Sequence, residues 1–166
     1  KRSSAASDVY KRQMFVFALL GITLSSMYSV NTDLNLRCMV QMKNYNGHGA
    51  YIVVSLLNEN KEYLKTLQVM GDDSEWYNEI EDWWSFFGKE KQQIDGITGA
   101  TIAGGDRRVI AFTMPSENPD HFIRFETAVE EQQYYPTEID IKISNLELSE
   151  KYRGDGFIRY ITFIAQ

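Results

Sequence analysis

The chain has little of what disulfide, metal and nucleic-acid sites require. It contains one cysteine and two histidines, which excludes an internal disulfide framework and any multi-cysteine metal or iron–sulfur site. Its net charge is −6 and its central and C-terminal parts have no basic run, which argues against a nucleic-acid partner. With 43% hydrophobic and 13% aromatic residues, however, the chain has enough apolar side chains for a folded core.

The N-terminal thirty residues divide into two segments that we exclude from the folded domain. Residues 1–13 have no apolar periodicity and look like translated sequencing-adapter read-through; a disordered native tail is the alternative. Residues 14–30 carry no charge, and their apolar part has the length of a signal-peptide core, about 7–15 residues. This predicts export to the periplasm or another extracytoplasmic compartment. A retained anchor, which would be the only membrane contact, and a buried core helix are the alternatives.

The remaining residues, 31–166, are predicted to form a single mainly β domain. Leu34 to Met42 alternates between apolar and polar residues, which is typical of a strand with one buried face. Cys38 falls on the apolar side and is expected to be a small buried side chain. Further strands are predicted at 50–57, 62–70, 107–114, 121–131, 138–144 and 157–165, with a break at 134–136. This order favours an antiparallel immunoglobulin-like β-sandwich of about seven strands.

One amphipathic helix is predicted at about 74–87, inserted between the third and fourth strands. Asp73 is among the candidate N-caps, and Gly88 is expected to end the helix. An apolar stripe at helical spacing is predicted to pack on a sheet; it consists of Trp76, Ile80, Trp83, Trp84 and Phe87. The alternative is that these aromatic side chains stay partly exposed and stack on a flavin or a sugar.

The heptapeptide from Asp95 to Thr101 reads D-x-x-T-G-A-T. It resembles the acceptor signature of proteins that carry FMN on a threonine, to which a Mg-dependent flavin transferase attaches the FMN half of FAD. A hydroxyl that enters another enzyme's active site needs small neighbours, and glycine also frees the backbone. The resemblance implies FMN esterified to Thr101, presented by Asp95, Thr98, Gly99 and Ala100. The alternative is a flexible structural loop, since Gly and Thr are common in turns.

From about Leu34 to Ala165 the chain resembles a family of predicted periplasmic proteins of unknown function. The likeness rests on the strand at 47–57, the hairpin after it, the Trp-rich helix, and D-x-x-T-G-A-T before a β-rich half. Members are often encoded near, or fused to, FAD:protein FMN transferases and membrane proteins of flavin-based electron transfer. The resemblance therefore implies an extracytoplasmic protein whose partners are a flavin transferase and membrane redox proteins.

Local sequence suggests neither a catalytic site nor a metal site. His48 and His121 lie in or beside turns, without a Cys or His partner at ligand spacing. No Ser–His–Asp set, phosphate-binding glycine loop or Cys–His nucleophile is suggested. Two functions remain: an exported domain of flavin-based electron transfer, and a non-catalytic periplasmic or cell-surface binding module with an immunoglobulin-like fold.

Overall fold

The computed structural model describes residues 33–90, 94–115 and 118–165, so the predicted leader (1–13) and apolar segment (14–30) lie outside the described residues. The described part forms eight strands: β1 (Asp33–Met42), β2 (Tyr51–Leu57), β3 (Tyr63–Met70), β4 (Thr98–Gly99), β5 (Arg107–Pro115), β6 (Phe122–Ala128), β7 (Tyr134–Lys142) and β8 (Ile158–Ile164). Its helical segments are helix α1 (Glu81–Glu90) and 3₁₀ turns at Ser74–Glu79, Asp95–Ile97 and Ile143–Asn145. No helix in this part is long and apolar enough to cross a bilayer.

The strands form a three-stranded and a five-stranded sheet. The first has the order β5-β1-β8 and the second the order β4-β3-β2-β6-β7. Among the described strands every pair is antiparallel except β3 with β4, which is parallel. The prediction of a mainly β, sandwich-like domain is confirmed. It missed β4, because a two-residue strand is too short to show any periodicity.

Strand β1 shows why the alternating pattern was informative. Leu36, Cys38, Val40 and Met42 are buried, and they join apolar residues from both sheets in the main core. Cys38 is fully buried, and this burial raises the pKa of its thiol to about 12. A thiol in this setting stays protonated and packs as a small apolar side chain, as predicted.

The predicted helix is in fact two helical segments. Ser74–Glu79 is a 3₁₀ turn capped by Asp73, whose side chain accepts a hydrogen bond from the backbone N–H of Glu75. Ile80 interrupts the helical backbone with φ −92° and ψ 70°, and α1 begins at the next residue. The prediction that Gly88 ends the helix is wrong, because α1 continues to Glu90.

The two helical segments cover the outer face of the five-stranded sheet and create a second core. Its buried members are Tyr51, Val53, Val69, Tyr77, Ile80, Trp83, Ile94 and Ala128. Trp83 is fully buried, stacks on Phe87, and donates its indole N–H to the hydroxyl of Thr66 over 2.9 Å. The predicted packing of the aromatic stripe on a sheet is therefore confirmed, although Trp84 remains 37% exposed.

The predicted break at 134–136 is wrong, because these residues begin β7. β7 is the outermost strand of its sheet. Pro136 has no backbone N–H, and an edge strand tolerates proline because one of its sides makes no ladder hydrogen bonds. β6, predicted to run to residue 131, ends at Ala128.

Candidate functional site

The heptapeptide begins along the edge of the five-stranded sheet. Asp95–Ile97 forms a 3₁₀ turn, and β4 then pairs with β3 so that Thr98 lies opposite Val69 and Gly99 opposite Met70. The backbone N–H of Gly71 also donates to the carbonyl of Gly99. The backbone of Thr98 and Gly99 is therefore held by a neighbouring strand and is not a flexible loop.

A second backbone pairing fixes the chain directly after the heptapeptide. Ile102 and Ala50 exchange two backbone hydrogen bonds, of 2.8 and 3.1 Å, and the hydroxyl of Tyr45 donates to the carbonyl of Ile102 over 3.1 Å. Thr101 thus lies in a two-residue connection between β4 and a fixed bridge. Its position is defined by pairing on both sides.

The side chain of Thr101 lies against Gly49. A β-carbon on Gly49 would be 2.4 Å from Oγ1 of Thr101 and 2.8 Å from its Cβ, so only glycine leaves the space that Thr101 fills. Thr101 is partly buried, and no described residue makes a hydrogen bond with its hydroxyl. Ala100 beside it is exposed.

The predicted acceptor residues belong to one short segment of the chain, and the structure gives them different environments. Thr98 and Gly99 are partly buried in β4, where a β-carbon on Gly99 would meet the Met70 side chain at 3.2 Å. Gly96 has open space around it. Asp95 lies in the 3₁₀ turn that leads into β4.

Two side chains that flank Gly49 and Ala50 in sequence, those of His48 and Tyr51, contact Glu130. His48, next to Gly49, is 68% exposed and 3.6 Å from the carboxylate of Glu130. The hydroxyl of Tyr51 also donates to Glu130, and burial together with the charge of Glu130 raises the pKa of Tyr51 to about 12. The predicted surface role of His48 agrees with this exposure.

A second polar group, which sequence reasoning missed, lies beneath α1. Glu126 on β6 is fully buried and accepts hydrogen bonds from the hydroxyls of Tyr63 and Tyr134. Burial raises the pKa of Glu126 to about 7, although the tyrosine hydrogen bonds act to lower it. The Tyr134 hydroxyl in turn accepts from the backbone N–H of Asp82 at the start of α1, so the carboxyl group is linked to the helix.

An ion pair lies next to this group on the same sheet. The guanidinium of Arg124 makes two hydrogen bonds, of 2.7 and 2.8 Å, to the carboxylate of Asp140, which also accepts from Lys61 at 2.9 Å. Burial alone would raise the pKa of Asp140, but the bonds from Arg124 and Lys61 lower it below its usual value. These residues hold β6 and β7 together.

Glu138 holds the C-terminal turn in place. Its buried carboxylate accepts from the backbone N–H groups of Gly156, Phe157 and Ile158, at 2.8, 3.1 and 3.0 Å, and from the hydroxyl of Thr127. A β-carbon on Gly156 would lie 2.3 Å from this carboxylate. This carboxylate therefore fixes the turn that leads into β8, and the glutamate has a structural role. Within the described residues, no three His, Cys, Asp or Glu side chains form a group that could hold a metal ion.

The model of the family described as "Predicted periplasmic protein (DUF2271)" matches residues 33–160. The chain belongs to this family. The match spans every described strand from β1 to the start of β8, and it confirms the predicted extracytoplasmic, periplasmic location. Comparison with curated proteins and with solved structures returned no match.

Proposed function

We propose that this DUF2271 domain takes part in flavin-based extracytoplasmic electron transfer and carries FMN covalently on Thr101. The observation that carries the proposal is the presentation of Thr101, the last residue of D-x-x-T-G-A-T, in a connection held by pairing on both sides. A flavin transferase and membrane redox proteins are the partners that this function requires.

The residues around Thr101 fit an acceptor site. Its hydroxyl makes no hydrogen bond with a described residue, so no internal partner has to be displaced before it reacts. Gly49 leaves room for the Thr101 side chain, and the neighbouring Ala100 is small and exposed. Because β4 and the bridge between Ala50 and Ile102 fix the backbone, the attached group would be linked to the protein at a fixed position.

The modification is a phosphoryl transfer without change of oxidation state. Oγ1 of Thr101 attacks the FMN-side phosphorus of FAD; the new P–O bond forms as the pyrophosphate P–O bond breaks, and AMP leaves. The hydroxyl proton passes to a base of the transferase. Once bound, the isoalloxazine ring supplies the redox chemistry, while the protein supplies attachment, orientation and electrostatic environment.

Intact-mass measurement after co-expression with an FAD:protein FMN transferase tests this proposal. We expect the wild type to gain the mass of FMN less one water and to turn yellow. Thr101→Ala should gain nothing, and Thr101→Ser should be modified because it keeps a hydroxyl. Thr137→Ala, at an exposed position of β7, is the matched control and should be modified like the wild type.

An unmodified wild type would favour the second function, that of a binding module. If the wild type stays unmodified while a known substrate of the same transferase is flavinylated in the same cells, Thr101 is not an acceptor. The domain would then be a non-catalytic periplasmic or cell-surface binding module, and the heptapeptide only the crossing from α1 to the second half of the chain.

A further inference from the structure

The heptapeptide also forms part of a cleft. Gly96 and Ile97 line it together with β3 from Lys65 to Gln68 and β5 from Ala111 to Thr113. One wall thus comes from the five-stranded sheet and the other from the three-stranded sheet. Its volume is about 430 Å³, within the range of about 300–1,000 Å³ that is usual for small-molecule sites.

We infer that this cleft, which we call the β3–β5 cleft, holds the isoalloxazine ring of an FMN attached to Thr101. This inference rests on the proposed function. Ile97 lies four residues before Thr101, so their Cα atoms are at most about 14 Å apart. A phosphate, a ribityl chain and a three-ring system together span such a distance. The attached group would follow β4 back along the edge of β3.

Two other clefts of the described part suit the ring less well. One lies at the far end of β2, where Leu56, Leu64 and His121 line it. It shares Lys65 with the β3–β5 cleft, but no described residue of the heptapeptide lines it, whereas Gly96 and Ile97 line the β3–β5 cleft. The other is lined by Glu79, Glu81 and Glu131, whose negative charges oppose an anionic phosphate and an anionic reduced flavin.

The chemistry of the β3–β5 cleft matches the two halves of the ring. The partly exposed Ile97 and the exposed Ala111 offer apolar surface for the dimethylbenzene part. Lys65 is an exposed cation with no ion pair to a described residue, and Gln68 supplies an amide. A cation near the pyrimidine part would stabilise the negative charge that the ring gains on two-electron reduction.

The first test measures how well the attached ring is shielded, by iodide quenching of flavin fluorescence. Because ligand pockets bury about 70–90% of a ligand's surface, the quenching constant of the flavinylated wild type should be about threefold below that of free FMN. Gly96→Leu should raise it towards the free value, since the new side chain narrows the cleft while Gly96 is an unspecified position of D-x-x-T-G-A-T. Gly88→Leu is the matched control, because a β-carbon at Gly88 also meets nothing within 4 Å but lies on α1.

The second test measures the midpoint potential of the attached flavin. Lys65→Gln should shift it to a more negative value, whereas Lys151→Gln, whose ammonium lies over the ring of Tyr160, should leave it unchanged. This variant changes β3 rather than the acceptor segment, so it remains informative if Gly96→Leu impairs modification.

The outcomes separate this inference from the proposed function. A wild type that gains the FMN mass but is quenched like free FMN, or a Lys65→Gln potential equal to that of the wild type, overturns the β3–β5 cleft and leaves Thr101 as the acceptor. A wild type that gains no mass in the presence of an active transferase overturns both.

Discussion

The side chain of Thr101 occupies the space that a side chain on Gly49 would need, since a β-carbon there would lie 2.4 Å from the threonine Oγ1. The two residues are 52 positions apart and come from different connections, yet their contact is fixed by the hydrogen bonds between the neighbouring Ala50 and Ile102. The glycine in the connection between β1 and β2 therefore sets the environment of the proposed acceptor.

The first prediction concerns Gly49→Ala. The new methyl group would also lie 2.8 Å from Cβ of Thr101, so rotation of the threonine side chain does not relieve the contact and the backbone must move. We expect the free energy of unfolding to fall by about 1–3 kcal/mol, as for overpacked sites, measured by urea denaturation of the unmodified protein.

The flavinylated fraction of Gly49→Ala should also fall, because Thr101 is displaced. Gly88→Ala is the control: its β-carbon meets nothing within 4 Å, and alanine in a helix is favoured over glycine by up to about 1 kcal/mol. Equal stability and equal modification of Gly49→Ala and the wild type would show that the contact does not constrain Thr101.

The local patterns predicted the strands, and the misses have physical causes. Apolar and polar residues alternate in β1 because one face of the strand packs on the core. This pattern can be read from the strand's own sequence, without knowing which strands pair with it. In β6, Arg124 and Glu126 alternate with Ile123 and Phe125, a pattern that predicts a solvent-exposed face. In the structure, α1 covers that face. The sequence of β2 did carry a signal: all its residues except Ser55 are apolar, and all are buried, as expected for a central strand covered on both sides.

The candidate site was predictable only in part. The D-x-x-T-G-A-T segment was evident from its residues, whereas the contact of Thr101 with Gly49 depends on the bridge between Ala50 and Ile102. β3 pairs with β4 29 positions further along the chain, and the cleft places β3 beside β5 residues 43 to 48 positions away. Periodicity describes one strand at a time and carries no information on such neighbours.

The second prediction concerns the pH dependence of stability through Glu126. The pKa of this carboxyl is about 7 in the folded protein against 4.5 as its ordinary value. Between these values the folded protein holds the proton and the unfolded chain does not, so the contribution of Glu126 is fully present below pH 4.5 and is lost as the pH rises through 7. At about 1.4 kcal/mol per pH unit, the loss is about 3 kcal/mol.

Glu126→Gln removes this titration and keeps an amide that can accept from Tyr63 and Tyr134. Arg124 and Asp82 also face the site, and their charges are unchanged in the variant. Urea denaturation at pH 5 and pH 8 should therefore show a clearly smaller drop in stability for Glu126→Gln than for the wild type. The same drop in both proteins would mean that Glu126 does not titrate in this range.

The third prediction concerns the ion pair between Arg124 and Asp140. Asp140→Asn removes the carboxylate charge that pairs with the guanidinium of Arg124, which is 8% exposed. Loss of one partner of a buried pair is strongly destabilising, and we expect about 3 kcal/mol in urea denaturation. Asp120→Asn is the control, since Asp120 pairs with Lys142 at the surface with 63% of its side chain exposed, and it should cause no measurable change. If both variants lower the free energy of unfolding equally, the pair between Arg124 and Asp140 stabilises the fold no more than an exposed surface pair.

The fourth prediction concerns Glu138→Gln. The carboxylate accepts from three backbone N–H groups and one hydroxyl, so an amide at this position turns its NH₂ group towards donors and leaves at least one of them without an acceptor. We expect a loss of about 2 kcal/mol in the free energy of unfolding. Faster hydrogen exchange should accompany it at Gly156, Phe157 and Ile158, while exchange in β3 keeps its wild-type rate.

Glu150→Gln, at an exposed position, is the control and should change neither the free energy of unfolding nor the exchange rates. Unchanged exchange at the three amides in Glu138→Gln would show that the turn is held by packing and not by this carboxylate.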